Sequence, residues 1–145
     1  MIPLWQDYAA AYLDYQRAES RLRRLVDQRE ELEVSLGPSA IRYDRDVVQT
    51  TPEDQVTEIL AKIGDLDIAI TQAVETVRIR ADILQRQRKL LEASAEIHDR
   101  IYVLHFLRHY GVRRIGRLVG YSRSQTYYIL RQMKTGQNRT HDMVN

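Results

Sequence analysis

The side chains best suited to chemistry crowd the C-terminal end of this chain. Between Val112 and Met133 stand Arg113, Arg114, Arg117, Arg123 and Arg131, interleaved with Tyr121, Tyr127 and Tyr128 and with Ser122, Ser124 and Gln125. Such a mixture suits a nucleic acid. Arginine pairs with phosphate or bridges a guanine edge, glutamine can read adenine, and hydroxyls bond phosphate oxygens. The stretch also lacks acids. From Arg100 to His141 there is no Asp or Glu, and residues 100–145 carry nine Lys+Arg against Asp142 alone, a net +8. Residues 1–99 hold 13 Lys+Arg and 19 Asp+Glu, a net −6, so the overall +2 conceals a basic end on an acidic scaffold. Carboxylates on a helix facing DNA would repel phosphate, and this distribution is the electrostatic footprint of nucleic-acid binding.

Other chemistries are poorly provided for. Cysteine is absent, which excludes disulfides, Cys-ligated zinc, iron–sulfur clusters and thiol catalysis, and fits a cytoplasmic setting. His105 and His109 stand four apart, the spacing of a two-histidine zinc helix, yet His-Phe-Leu-Arg-His has no Glu after its first histidine and no third ligand. No metal is expected. Gly111, Gly116 and Gly120 have the wrong spacing for a nucleotide fingerprint, so neither a cofactor nor an enzymatic activity is expected. No apolar run reaches the ~18–20 residues needed to span a bilayer. The opening Met-Ile-Pro-Leu-Trp-Gln-Asp lacks the basic start of a secretory signal. The expectation is a cytoplasmic protein with no membrane partner.

Positioning these residues requires elements, and the periodicity predicts an all-α fold. Leu4, Tyr8, Ala11, Tyr15, Ala18, Leu22, Leu25, Leu32 and Leu36 alternate by fours and threes, a heptad seam interrupted by one charged residue, Arg29. Gly37-Pro38 should end this helix. Residues 38–51 form a connector whose Ile41, Tyr43, Val47 and Val48 should lie against the helices. Thr51-Pro52-Glu53-Asp54 should start a second helix running to about Ala93. On it Val56, Ile63, Ile70, Val77, Leu84 and Leu91 repeat every seven residues, with Ile59, Leu66 and Ala73 between them. Together these predict a long N-terminal antiparallel helical hairpin, coiled-coil-like, able to serve as an oligomerisation scaffold over 1–94. A homodimer through these helices is one use of the seam, and internal pairing alone is the other.

From Ala95 the pattern changes. Ile97, Ile101, Val103, Leu104, Phe106 and Leu107 make a helix apolar on most of its surface, ended by His109-Tyr110-Gly111. The stretch from Val112 to Met133 reads as a helix-turn-helix. Gly116 is the small residue where two helices cross, Ile115 and Val119 face inward with Leu118 in support, Gly120 tolerates positive φ in the turn, and Ser122 caps the second helix. Thr126, Ile129, Leu130 and Met133 should face inward, leaving Arg123, Ser124, Gln125, Tyr127, Tyr128 and Arg131 outside. Base contacts are assigned to Arg123, Gln125 and Tyr127. Backbone contacts are assigned to Arg113, Arg114, Arg117, Ser122, Ser124, Tyr128 and Arg131. The domain is placed at 95–133, with a flexible tail at 134–145.

The buried helix and, after it, Gly111-Val112-Arg113-Arg114-Ile115-Gly116-Arg117-Leu118-Val119-Gly120-Tyr121-Ser122 resemble region 4 of bacterial sigma factors. More closely, most of residues 1–133 resembles the phage-encoded late-gene regulators of the RinA/ArpU type, including a middle stretch like Ile41-Arg-Tyr-Asp44 and then Val48-Gln-Thr-Thr-Pro52. The resemblance implies a DNA-binding transcriptional activator of phage late genes, with double-stranded DNA as partner and host RNA polymerase as a candidate second partner. One departure stands out. The sigma-like motif usually carries an acid in its first helix, where Arg113, Arg114 and Arg117 stand here, which bears against a direct, residue-by-residue carry-over of polymerase contacts. Two other readings fit the same features: a DNA-packaging component similar to a small terminase subunit, and a coiled-coil interaction module that binds an acidic partner and no DNA.

Overall fold

A computed structural model of the chain describes residues 2–41 and 53–144, with side chains described for 2–36 and 53–134. Among the described residues all regular structure is helical: α1 (Leu4–Ile41), α2 (Glu53–Ala93), α3 (Ile97–Tyr102) continuing into a π-helical turn (Val103–Leu107), α4 (Val112–Val119) and α5 (Arg123–Val144). The fold is all-α. Its contacts divide into two compact units, one of Met1–Tyr15 with Arg80–Asn145 and the other of Gln16–Ile79.

The first unit holds the hydrophobic core. Ile101, Tyr102, Val103 and Leu104 are buried with Ile115 of α4 and with Leu130 and Met133 of α5. Trp5 and Tyr8 of α1 and Leu91 of α2 close the same cluster. Tyr102 is its aromatic hub, 5.7 Å from Trp5, 5.9 Å from Tyr8 and 4.6 Å from Phe106 between ring centroids. Offset and edge-on pairs of this kind add to the burial of large rings. The start of α1 is tied down by polar contacts as well. The backbone N–H of Trp5, one of the donors a helix start leaves without an intrahelical partner, bonds Asp99 Oδ1 at 3.0 Å, while the Ser94 hydroxyl donates to Asp99 Oδ2 at 2.6 Å. Asp99 is thus a buried acid whose two oxygens hold α1 and the α2–α3 turn onto α3. Glu96 caps α3, accepting the Asp99 backbone N–H at 3.1 Å. Within this unit the pairs Trp5–Asp99 and Asp14–Arg80 run α1 antiparallel to the chain it meets.

In the second unit, 16–41 of α1 meets 53–79 of α2. Arg29, the charged residue on the heptad seam, bonds across to Asp67 and along its own helix to Glu33. Its hydrogen bond to Asp67 raises its already high pKa. Gln28, Glu31, Leu32 and Ser35 of α1 line a shallow groove with Lys62, Asp65 and Leu66 of α2.

Several expectations change. The helical backbone of α1 continues through Gly37-Pro38 to Ile41, because a proline inside a helix removes one hydrogen bond and leaves the others of the ladder in place. The contact division falls near residues 15 and 80 rather than at 94/95, because the apolar α3 region needs Trp5, Tyr8 and Leu91 to cover it. The helix α5 runs on to Val144 through the residues expected to form a flexible tail. Leu118 is 51% exposed, so it supports no core. Residues 42–52, including Tyr43, Val47, Val48 and the Thr51-Pro52 start signal, lie outside the described residues.

Candidate nucleic-acid interface

The interface is built on α4, the turn Gly120-Tyr121-Ser122, and the first turns of α5. Before α4, the widened π-helical turn closes with the Arg108 N–H bonding Val103 O at 3.0 Å and the Tyr110 N–H bonding Leu104 O at 2.8 Å. His109 takes the left-handed conformation there, φ 59. The His105 ring lies 3.1 Å from Tyr110 O through Nδ1, which must donate to a carbonyl, so this histidine braces the turn. The Arg114 guanidinium lies 3.8 Å from the Tyr110 ring centroid, a cation–π contact that orients one arginine of the patch.

Two glycines shape the turn. Gly120 is left-handed at φ 78, and the N–H groups of Gly120 and Tyr121 both reach Gly116 O, the latter at 2.9 Å, so the helix ends with the 5→1 bond of an αL cap and the outer 6→1 bond of a Schellman turn sharing one carbonyl. Gly116 is buried against the turn itself: a Cβ there would stand 2.8 Å from Tyr121 O and 3.2 Å from Thr126 Oγ1. The crossing of α4 and α5 therefore depends on the missing side chain. Thr126, fully buried, disposes of its hydroxyl by donating to Ser122 O at 2.9 Å.

Ser122 and Gln125 form a reciprocal capping box. The Ser122 Oγ accepts the Gln125 backbone N–H at 3.2 Å, and Gln125 Oε1 accepts the Ser122 N–H at 3.2 Å. Thr126, Leu130 and Met133 turn inward and leave the opposite face of α5 exposed. That face presents Arg123, Ser124, Tyr127, Tyr128 and Arg131, with Tyr127 59% and Tyr128 63% exposed. The Tyr128 hydroxyl is steadied by Gln132 Nε2 at 2.7 Å. On α4, Arg113, Arg114 and Arg117 are exposed too. Among the described residues no carboxylate forms an ion pair with Arg113, Arg114, Arg117 or Arg123.

All ten residues assigned to the interface are thus solvent-facing, on two helices and the turn between them in one compact unit. Arg123, Ser124, Tyr127, Tyr128 and Arg131 share one face of α5. The carboxamide of Gln125 is engaged in its own helix cap, a role that Ser-x-x-Gln before an apolar run signals and that the assignment to base reading overlooked. Compared with protein-family models, curated proteins and solved structures, the chain matches none.

Proposed function

We propose that this protein is a sequence-specific DNA-binding transcriptional regulator whose α4–turn–α5 segment acts as a helix-turn-helix. One observation carries the reading. The face of α5 opposite the buried Thr126, Leu130 and Met133 is an exposed row of arginine, serine and tyrosine, in a stretch with no acid from Arg100 to His141. A helix laid in a major groove needs such a face: cations and hydroxyls toward phosphates, and long polar side chains toward base edges. Arg123 and Tyr127 approach the bases. Arg113, Arg114, Arg117, Ser124, Tyr128 and Arg131 contact the backbone. Ser122 and Gln125 fix the entry of α5, and Gln125 reads a base only by giving up its cap. The identity of the controlled genes, phage late operons, and contact with host RNA polymerase rest on the resemblance to the RinA/ArpU-type regulators alone.

Selection of bound duplexes from a random pool, and then titration, tests the reading. One duplex should be enriched. Neutralising four phosphates with the arginines of the backbone set should make its affinity fall on the order of 10²-fold between about 50 and 200 mM salt. Arg123→Ala should cost ~1–3 kcal/mol on that duplex and much less on a scrambled one. Equal losses on both would remove Arg123 from base reading. Absence of any enriched sequence would remove the regulator proposal.

A further inference from the structure

The unit Gln16–Ile79 is short of interior. Its one buried hydrophobic residue among those described is Ala73, while Val56, Ile59, Ile63, Leu66, Ile70 and Val77 on the seam remain partly exposed. Two paired helices bury only a narrow stripe, and apolar positions outside the stripe signal further neighbours. Five such positions among the described residues are exposed, Val34, Leu60, Ile68, Val74 and Ile79, and two of them share one flank of α2. Leu60, 56% exposed, and Val74, 51% exposed, stand two heptads apart beside the α2 seam, and Val26 occupies the matching flank of α1. The other flank of α2 carries Lys62, Ala69 and Thr76 instead. Apolar residues at both seam positions and at two positions of one flank, with the ion-paired Asp67 between them, fit a helix in a multi-helix bundle.

We propose that a second copy of this chain covers that flank, so that two 16–79 units pack antiparallel as a four-helix bundle about a two-fold axis near Asp67. Leu60 and Val74 stand seven residues to either side of Asp67, so this axis sets Leu60 of one copy beside Val74 of the other, as an isologous interface requires. On α1, Arg23 stands three residues before Val26 and Glu30 four after it, and the axis brings these opposite charges together. Charge along the whole unit agrees. Residues 16–26 and 68–79 carry five arginines and two glutamates, whereas 27–36 and 53–67 carry nine acids and two bases. Antiparallel packing lays the basic end of each copy on the acidic end of the other, and parallel packing would stack the two acidic ends. The cross-helix contact of Arg29 with Asp67 holds the register on which this match depends.

The test uses the full chain, whose lack of cysteine makes introduced thiols unambiguous. Light scattering at micromolar concentration should give twice 17.1 kDa. The double variant Leu60→Glu/Val74→Glu should give the single mass with its helical circular dichroism retained. Arg23→Glu, at an exposed position, should weaken association at least tenfold, and adding Glu30→Arg should restore it. When Leu60→Cys and Val74→Cys chains are mixed and oxidised, the disulfide should join one of each in preference to like with like. A single-chain mass for the unmodified protein, a ring of eight or more, or preferential like-with-like cross-linking would each overturn the proposal.

Discussion

At the scale of single residues, the turn between α4 and α5 is a problem of space before it is one of recognition. Alanine is ordinarily the better helix former by about 1 kcal/mol. At position 116, however, its methyl would press on the Tyr121 carbonyl, a backbone atom that cannot rotate away. Gly116→Ala should therefore destabilise the protein by about 1–3 kcal/mol, read from the urea midpoint. Gln125 raises a different question. Glutamate is an equally good partner in a capping box but would place a carboxylate at the start of α5, the helix proposed to enter the groove. Gln125→Glu should leave the melting temperature nearly unchanged and weaken DNA binding on every sequence, cognate or scrambled. A loss confined to the cognate duplex would return Gln125 to base reading. The glycines, the serine cap and the inward Thr126 were all legible in the sequence, since each follows from local stereochemistry. The exposure of Leu118 was not, because it depends on how far α4 is rotated against neighbours from elsewhere in the chain.

Among the elements, α3 is the shortest regular α-helix and the most heavily anchored. Glu96 caps it, and its own Asp99 anchors the start of α1. Burial pushes the Glu96 carboxyl up, but hydrogen bonds from the His98 ring and from the backbone N–H groups of Asp99 and His98 more than offset this and hold it below its ordinary value. A carboxyl depressed in the folded state stabilises it fully above the unfolded value, about 4.3 for Glu, and loses that contribution as pH falls through the lowered folded value. Glu96→Gln keeps an acceptor without the charge. The stability gap between it and the unmodified chain should be widest near neutral pH and close toward about pH 3, measured as urea midpoints across the range. The heptads of α2 run through its described length, Glu53–Ala93, and it ends where the sequence places its end, at about Ala93, because a long repeat averages out local noise. At the end of α1 the expectation fails, since the helix passes the breaker signal at Gly37-Pro38 and runs to Ile41.

For the whole molecule, the most consequential contact is the one that brings the first turns of α1 into the core of the basic unit. Trp5 is 8% exposed and stacks on Tyr102. Trp5→Ala should cost about 3–5 kcal/mol, a large share of the ~5–15 kcal/mol that holds a domain together. DNA binding should fail together with the thermal melt, although position 5 lies far along the chain from α5. Retained binding by a chain whose α1 start has melted would show that residues 80–134 fold without it. The sequence by itself determined the helical class, the seam of α2, the inner and outer faces of α5, and the separation of a basic end from an acidic one. These are properties of residue type at fixed spacing, and the helical period converts them directly into faces. Only the tertiary structure decided that Trp5, Tyr8 and Leu91 complete the C-terminal core, that Asp99 accepts the N–H of Trp5, 94 residues earlier, at the start of α1, and that Arg29 faces Asp67. Contacts between distant segments depend on which apolar surfaces find each other once the helices exist, and no local period records that choice.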